Sequence, residues 1–414
     1  MPTLMRRIEK WRPLEGLVLA SVLVLSFLIQ LLIMPDDFVG PDYETYLAQG
    51  QLAQTAALWF DPSALDANYW PIGYPAFLAL VMKAFSSDLH AVQYVQILLD
   101  LTLAPLAWLV TRHISIPVRM VTFIAVAVSP SVIWAGQNAG YEVLLSFLLC
   151  LSLACIWGRG GAPSGNRYWL GGLACTISGL AFGSAFLVQN KVIIVLPILI
   201  LLALRWGRWN LGAFCALALL APAAWAIRNI AVAGTFSPMT RNASMNLWIG
   251  NNPLQTTGGF MEPPPVSIEP IVGMDIYASN ALNFFITQPE AAFALILHKA
   301  ARLVEPVFIY PSPGVFAWQS ALIHWLTIAM SIVVLVLFVT FVFGRLWVRP
   351  PVIPEVGPIA AFVLLFVLVH LPFLAEPRFR VPVEPLTIAV AVATLFALFA
   401  RYRRNRPRKL ERRL

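Results

Sequence analysis

Charge is scarce in this chain: Asp, Glu, Lys and Arg make up only 12% of its 414 residues, against 59% that are hydrophobic. A soluble domain of this length cannot bury so much apolar surface in one core, and the mean hydropathy is +0.77. Cysteine is rarer still. Cys150, Cys155, Cys175 and Cys215 lie inside apolar segments without metal-like spacing, so neither a disulfide frame nor a zinc site is expected. Internal repeats of the kind many secondary transporters carry are missing. So is the alternation of apolar and polar residues that a transmembrane barrel requires.

What the chain does have is a series of continuous apolar runs, several reaching the roughly 20 residues that cross a bilayer as a helix. The expected fold class is an all-α polytopic membrane protein, with about ten transmembrane helices and interfacial helices in the first and fourth outer loops. The expected crossings are 14–34, 88–111, 118–136, 141–157, 168–187, 190–204, 209–230, 315–343, 357–375 and 382–400. Segment 72–86 is short, and 289–308 mixes apolar residues with His298, Lys299, Arg302 and Glu305. Both are therefore expected along the interface. The first run has no small-x-small cleavage site and is expected to stay as an anchor.

The net charge of +8 collects at the two ends. Arg6, Arg7, Lys10 and Arg12 precede the first run, and "RYRRNRPRKLERRL" follows the last. That distribution is a topology signal rather than a nucleic-acid footprint, and it predicts cytoplasmic termini. The expected organisation is one membrane domain over 1–400, with outer loops 35–87, 137–141, 231–314 and 376–381, and a basic cytoplasmic tail over 401–414. Most acids then fall on the outer face, together with the longest loops, which is where function is expected.

Asp42 opens "DYETYLAQGQL" just after Gly40-Pro41, a pattern that starts a helix with Pro at its first position and puts Asp42 and Glu44 in the first turn. Asp42 then either complements the helix dipole or, held near the membrane surface, accepts a proton from an incoming hydroxyl. Glu142 stands where a run emerges on the same face, a costly place for an acid that is neither paired nor used. Asp100 lies deeper, either in an interhelical hydrogen bond or along a transport path. Lys191, Arg228, Arg378 and Arg380 bring cations from separate helices to one outer level. Snorkelling explains any one of them, and their collection suits a phosphate-bearing lipid. The outer loop "RNASMNLWIGNNPLQTTGGF" offers turn residues and amides, among them Asn246 and Asn251, for hydrogen bonds to a sugar, with Trp248 as an apolar face.

Four stretches in register then resemble a known family: "DYETYLAQGQL", "NYWPIGYPAFLAL" (68–80), "APAAWAIRNIAVAGTFSPMTRNASMNLWIGNNP" (221–253) and "EPRFRVPVEPL" (376–386). The chain resembles the membrane-embedded GT-C glycosyltransferases, specifically bacterial relatives of the dolichyl-phosphate-mannose protein mannosyltransferases (glycosyltransferase family 39 and its neighbours), over about residues 14–400. The resemblance implies transfer of a sugar from a polyprenyl-phosphate carrier to an acceptor on the outer face of a bacterial inner membrane. It implies Asp42 as general base, Glu142 as second acid, Lys191, Arg228, Arg378 and Arg380 for the donor phosphate, and Tyr46, Tyr74, Asn246, Trp248 and Asn251 for acceptor or sugar. Asp42 and Glu142 would hold a divalent cation, Mg or Mn, if one is used. The chain departs from the family pattern at "GYE" before Glu142 and at Asn190-Lys191, where the family often has Arg-Pro. Two other readings stay open: a transporter or flippase for a lipid-linked substrate, and a non-catalytic assembly partner.

Overall fold

Apolar runs punctuated by Pro and Gly become helices in the computed structural model, which describes residues 2–34, 42–55, 61, 70–85, 89–157, 168–234, 240, 242–271, 274–306, 317–347 and 356–405. Asp36, Asp37, Pro41, Asn68, Tyr69, Arg159, Arg167, Arg349 and the tail beyond Asn405 lie outside the described residues. No strand occurs among the described ones. In chain order the helices are α1 (Pro2–Leu32), α2 (Tyr43–Gln54), α3 (Gly73–Ala84), α4 (Leu89–Val110), α5 (Ile116–Ala127), α6 (Pro130–Gln137), α7 (Glu142–Ile156) and α8 (Tyr168–Val188). They continue with α9 (Leu196–Ala203), α10 (Arg208–Ala233), α11 (Asn242–Gly250), α12 (Ile276–Thr287), α13 (Pro289–Val304), α14 (Ala317–Trp347), α15 (Gly357–Leu368) and α16 (Glu384–Asn405). A 3-10 segment, Asn190–Val195, leads into α9, and another, Pro377–Val383, leads into α16.

Among the described residues six stretches are long and apolar enough to cross a membrane: Glu15–Leu32, Leu89–Val110, Gly171–Val188, Arg208–Val232, His324–Gly344 and Pro377–Arg403. Helices α5 and α6 make a seventh if taken as one span bent by 43°. The bend has a local cause, since Pro130 has no N–H to continue the ladder and Ser129 begins the new helix as its N-cap. The chain is a multi-pass membrane protein. Large apolar side chains on these helices face outward, among them Leu219, Leu220, Ile227, Val333 and Val336, as lipid-facing surfaces require.

The ten expected crossings are not all full-length helices. Segment 141–157 forms a 15-residue helix and 357–375 a 12-residue one. Segment 190–204 is a composite of 3-10 turn, short α-helix and 3-10 turn, with Pro197 at the α start. Helix α3 is likewise 12 residues long, about 18 Å at 1.5 Å per residue, too short to span a hydrocarbon core of about 30 Å.

Two devices bring the helices together. Gly179 and Gly183, one turn apart on α8, let the backbone of α10 come close: a Cβ on them would lie 2.6 Å from the Phe214 carbonyl oxygen and 2.9 Å from that of Ala218. Ser152 on α7 and Ser178 on α8 exchange hydrogen bonds of 2.9 to 3.0 Å across their interface. Helix α7 packs against α4, α8 and the Pro377–Val383 segment. That packing brings its first residue, Glu142, to the segment that carries Arg378.

Candidate active site

The sequence pattern put Asp42 in the first turn of a helix, and the structure corrects this. Helix α2 begins at Tyr43, and Asp42 precedes it as N-cap residue in the left-handed region, φ 63° and ψ 13°. It is the only non-glycine residue with positive φ among the described ones. Aspartate tolerates this conformation better than most side chains, yet it still costs energy and is typical of functional positions. The carboxylate does not cap the helix. Its Oδ2 accepts a hydrogen bond from Arg378 Nη2 at 3.0 Å, while Glu44 supplies the acid of the first turn.

Arg378 sits near the start of the Pro377–Val383 segment, and its Nη1 donates to Glu142 Oε1 at 3.4 Å. One guanidinium thus bridges two acids that are 100 positions apart in the chain. Glu142 is buried at the N-terminal end of α7, where the helix dipole favours a negative charge. Gly140 turns the chain directly over this carboxylate, and a Cβ there would collide with Glu142 Oε2.

An aromatic wall stands beside the bridge. Tyr46 meets Trp70, Tyr74 and Tyr141 edge-on, with ring centroids 5.8, 5.1 and 6.4 Å apart. Burial first, then Tyr141 and the charge on Asp42, holds the Tyr46 phenol protonated, well above its ordinary pKa. Tyr74 Oη donates to Gln96 Oε1 at 2.8 Å, and Gln189 Nε2 donates to Tyr141 Oη at 3.2 Å. Tyr46 and Tyr74, on α2 and α3, therefore stand beside the acid pair.

The other expected cations go to different places. Lys191 Nζ lies over the rings of Phe373 (4.4 Å) and Phe379 (5.5 Å), and Arg378 lies over the same Phe379 ring at 5.4 Å. Lys191 is therefore one aromatic ring away from the bridge. Arg228 stacks on Trp225 at 4.9 Å and donates to Asn229 Oδ1 at 3.0 Å. Arg380 turns to its own scaffold: it donates to the carbonyls of Leu303 and Glu305 and to Ser331 Oγ, and its Nε lies 3.5 Å from Glu384 Oε2.

In the stretch from 241 to 260 the expected sugar-facing surface is largely occupied by packing. Trp248 is buried with Ala281, Phe284, Ala292 and Leu295, and its Nε1 donates to the Pro264 carbonyl at 2.9 Å. Asn251 is buried too, donating to the Leu247 and Pro372 carbonyls at 2.7 Å each and accepting from Lys299 Nζ at 2.6 Å. Asn246 remains half-buried on α11. The turn-rich composition signalled a tightly built loop, and only the structure shows that its amides are used internally.

Sequence reasoning missed Lys299 and Arg302 as inward-facing groups, since charge on an apolar helix suggested headgroups. Lys299 is fully buried, and Arg302 forms an ion pair with Glu376 at 3.2 Å. Their i, i+3 spacing on α13 was the available signal, because it puts both on one face.

Asp42 and Glu142 each direct one oxygen at Arg378, and they are the carboxylates that would hold a divalent cation, with water and donor phosphate completing its shell. Among the described residues no cluster of three or more His, Cys, Asp or Glu has metal-binding geometry.

Fold and site define a polytopic α-helical membrane protein that holds a guanidinium-bridged acid pair beside an aromatic wall. No protein-family profile and no curated protein matches the chain. Among solved structures it is similar to ArnT from Cupriavidus metallidurans bound to undecaprenyl phosphate, at 14% identity and a TM-score of 0.49, covering 94% of this chain and 60% of that one. It is also similar to the archaeal oligosaccharyltransferase AglB from Archaeoglobus fulgidus in complex with an inhibitory peptide and a dolichol-phosphate, at 13% identity and a TM-score of 0.48, covering 93% of this chain and 51% of that one. The chain thus spans 60% and 51% of the length of these two structures.

Proposed function

We propose that this protein is an integral-membrane glycosyltransferase that moves a sugar from a polyprenyl-phosphate carrier to an acceptor hydroxyl on the outer face of a bacterial inner membrane. The observation that carries the reading is the Arg378 bridge between Asp42 and Glu142. It joins three residues to which the sequence resemblance assigns roles, drawn from three distant parts of the chain.

The phosphate of the donor binds Arg378 through N–H groups that the two acids leave free, as bidentate guanidinium–phosphate geometry favours. Lys191, across the Phe379 ring, adds positive charge behind it. Competition from the phosphate loosens the hold of Arg378 on Asp42, which then takes the proton of the acceptor hydroxyl. The hydroxyl oxygen attacks the anomeric carbon from the face opposite the carrier. The carbon–oxygen bond to phosphate breaks, and its electron pair leaves with the phosphate, neutralised by Arg378. A single displacement of this kind inverts the anomeric centre. Glu142 orients Arg378 and the acceptor, and Tyr46 and Tyr74 form the wall against which the acceptor rests.

The test is Asp42→Asn in membranes supplied with a labelled polyprenyl-phosphate sugar. Transfer is expected to fall by roughly 10²–10⁴-fold, the usual contribution of a general base. Transfer at the wild-type rate overturns the assignment.

A further inference from the structure

Arg378 is held in place from outside the catalytic cluster. The residues just before it, 372–376, are clasped on two sides. On one side the loop after α11 donates Phe260 N–H to Glu376 Oε1 at 2.8 Å, and the Gly258 carbonyl accepts from Ala375 N–H at 2.9 Å. On the other side, α13 sends Arg302 Nε to the Ala375 carbonyl at 3.1 Å and Arg302 Nη2 to both Glu376 oxygens at 3.2 Å. Beyond Arg378 the grip repeats, with Arg380 donating to the carbonyls of Leu303 and Glu305 at the end of α13.

The loop is shaped to allow this. A Cβ on Gly258 would come within 2.5 Å of Lys299 Cγ, and one on Gly259 within 2.5 Å of Arg302 Nε. Gly258 also takes φ 75°, which a side chain would strain. The two glycines thus let α13 approach closely enough for Lys299 to reach Asn251 and for Arg302 to reach Glu376.

The geometry points to Arg302 and Glu376 as a positioning pair through which α13 and the loop after α11 fix Arg378 against Asp42 and Glu142. Neither residue touches the reacting atoms; both act through Arg378. The inference rests on the reading of Arg378 as the donor phosphate ligand. It gives the outer loop a catalytic task different from the sugar contacts that its composition suggested.

The experiment uses the full chain in nanodiscs, with a polyprenyl monophosphate as probe, and compares Arg302→Glu, Glu376→Arg, the double reversal and Arg378→Ala. Hydrogen–deuterium exchange over residues 374–383 is read in the same samples. Each single reversal is expected to weaken probe binding about tenfold, equal to about 1.4 kcal/mol, and to speed exchange over 374–383. The double reversal is expected to recover most of the binding, though not all, since the Phe260 N–H loses its acceptor. In an Arg378→Ala background, Arg302→Glu is expected to change binding no further, as two residues acting through one group require. Wild-type binding and exchange in Arg302→Glu, no recovery in the double reversal, or a full additional loss in the Arg378→Ala background each overturn the inference. Failure of the wild type to bind the probe overturns the donor reading instead. Exchange over 374–383 then decides the clamp alone: faster in Arg302→Glu supports it, unchanged overturns it.

Discussion

Two buried acids in this bundle are satisfied in opposite ways. Glu142, 3% exposed, meets a full positive charge on Arg378. Asp100, 4% exposed in the middle of α4, meets only an amide, with Gln30 Nε2 donating to its Oδ2 at 2.7 Å. Around Asp100 the polar groups stay within the bundle: Ser26 Oγ donates to the Ala127 carbonyl at 2.7 Å and Gln137 Nε2 to the Gln30 carbonyl at 3.1 Å. Asp100 Oδ1, Gln30 Oε1 and Gln137 Oε1 have no hydrogen-bonding partner among the described residues. Lys299 follows the second pattern as a buried cation satisfied by the amide of Asn251. Glu142 and Asp42 share a cation whose hold can be exchanged for a ligand. Charge that meets an amide sits where the helices need only a hydrogen bond.

The largest effect is expected from Arg378→Ala. Removing one partner of a buried ion pair commonly costs about 3–5 kcal/mol, and Asp42 is 31% exposed at its side chain, which places this site at the lower end. The two carboxylates would then face each other without a cation, and one would take up a proton. Thermal unfolding in nanodiscs together with donor binding checks this, with both expected to fall. Arg378→Lys is expected to be intermediate, because a lysine lacks the fork that reaches both acids. Unfolding of Arg378→Ala at the wild-type temperature would show that the bridge is not an anchoring contact and would erase the contrast with Asp100.

Much of this was legible in the sequence, for physical reasons. Apolar runs near bilayer length mark where the long helices form, although 141–157, 190–204 and 357–375 give shorter or composite ones, and an acid or arginine at the edge of such a run is conspicuous. That made Asp42, Glu142 and Arg378 candidates before any contact was known. Their meeting was not legible, because it depends on how α7 packs against the Pro377–Val383 segment. The roles of Arg302, Glu376 and Lys299 were hidden for a related reason. A cation on an apolar helix has the same sequence pattern whether it points to headgroups or into a glycine-lined loop. The left-handed turn at Asp42 was hidden as well, since Pro41 signals a helix start one or two residues earlier than the one that forms.

A smaller effect, and one that depends on pH, is expected at Lys299. Burial pushes its ammonium down to about 8. The folded state therefore binds fewer protons than the unfolded chain between pH about 8 and the ordinary lysine value near 10.4. Stability should rise with pH across that window, because the penalty of burying the charge is fully present below it and is relieved above it. The difference in unfolding free energy between wild type and Lys299→Met, followed from pH 7 to 10.5, isolates this slope. A flat difference would mean that Asn251 offsets the burial cost completely.

The smallest effect is expected from Asp100→Asn, and it tests the contrast most directly. Asparagine keeps an oxygen to accept from Gln30 Nε2, and it puts an N–H2 group in place of Asp100 Oδ1, which has no hydrogen-bond partner among the described residues. It removes a buried carboxyl group and adds donors where acceptors prevail, so the change in stability should stay within about 1 kcal/mol. Sugar transfer should be unchanged, since Asp100 bonds Gln30, whereas Gln96 on the same helix is the residue that reaches Tyr74 of the aromatic wall. Near-native melting with transfer lost would give the mid-membrane acid a functional charge of its own. The division between ion-paired chemistry and amide-satisfied packing would then fail at the residue where it is drawn most sharply.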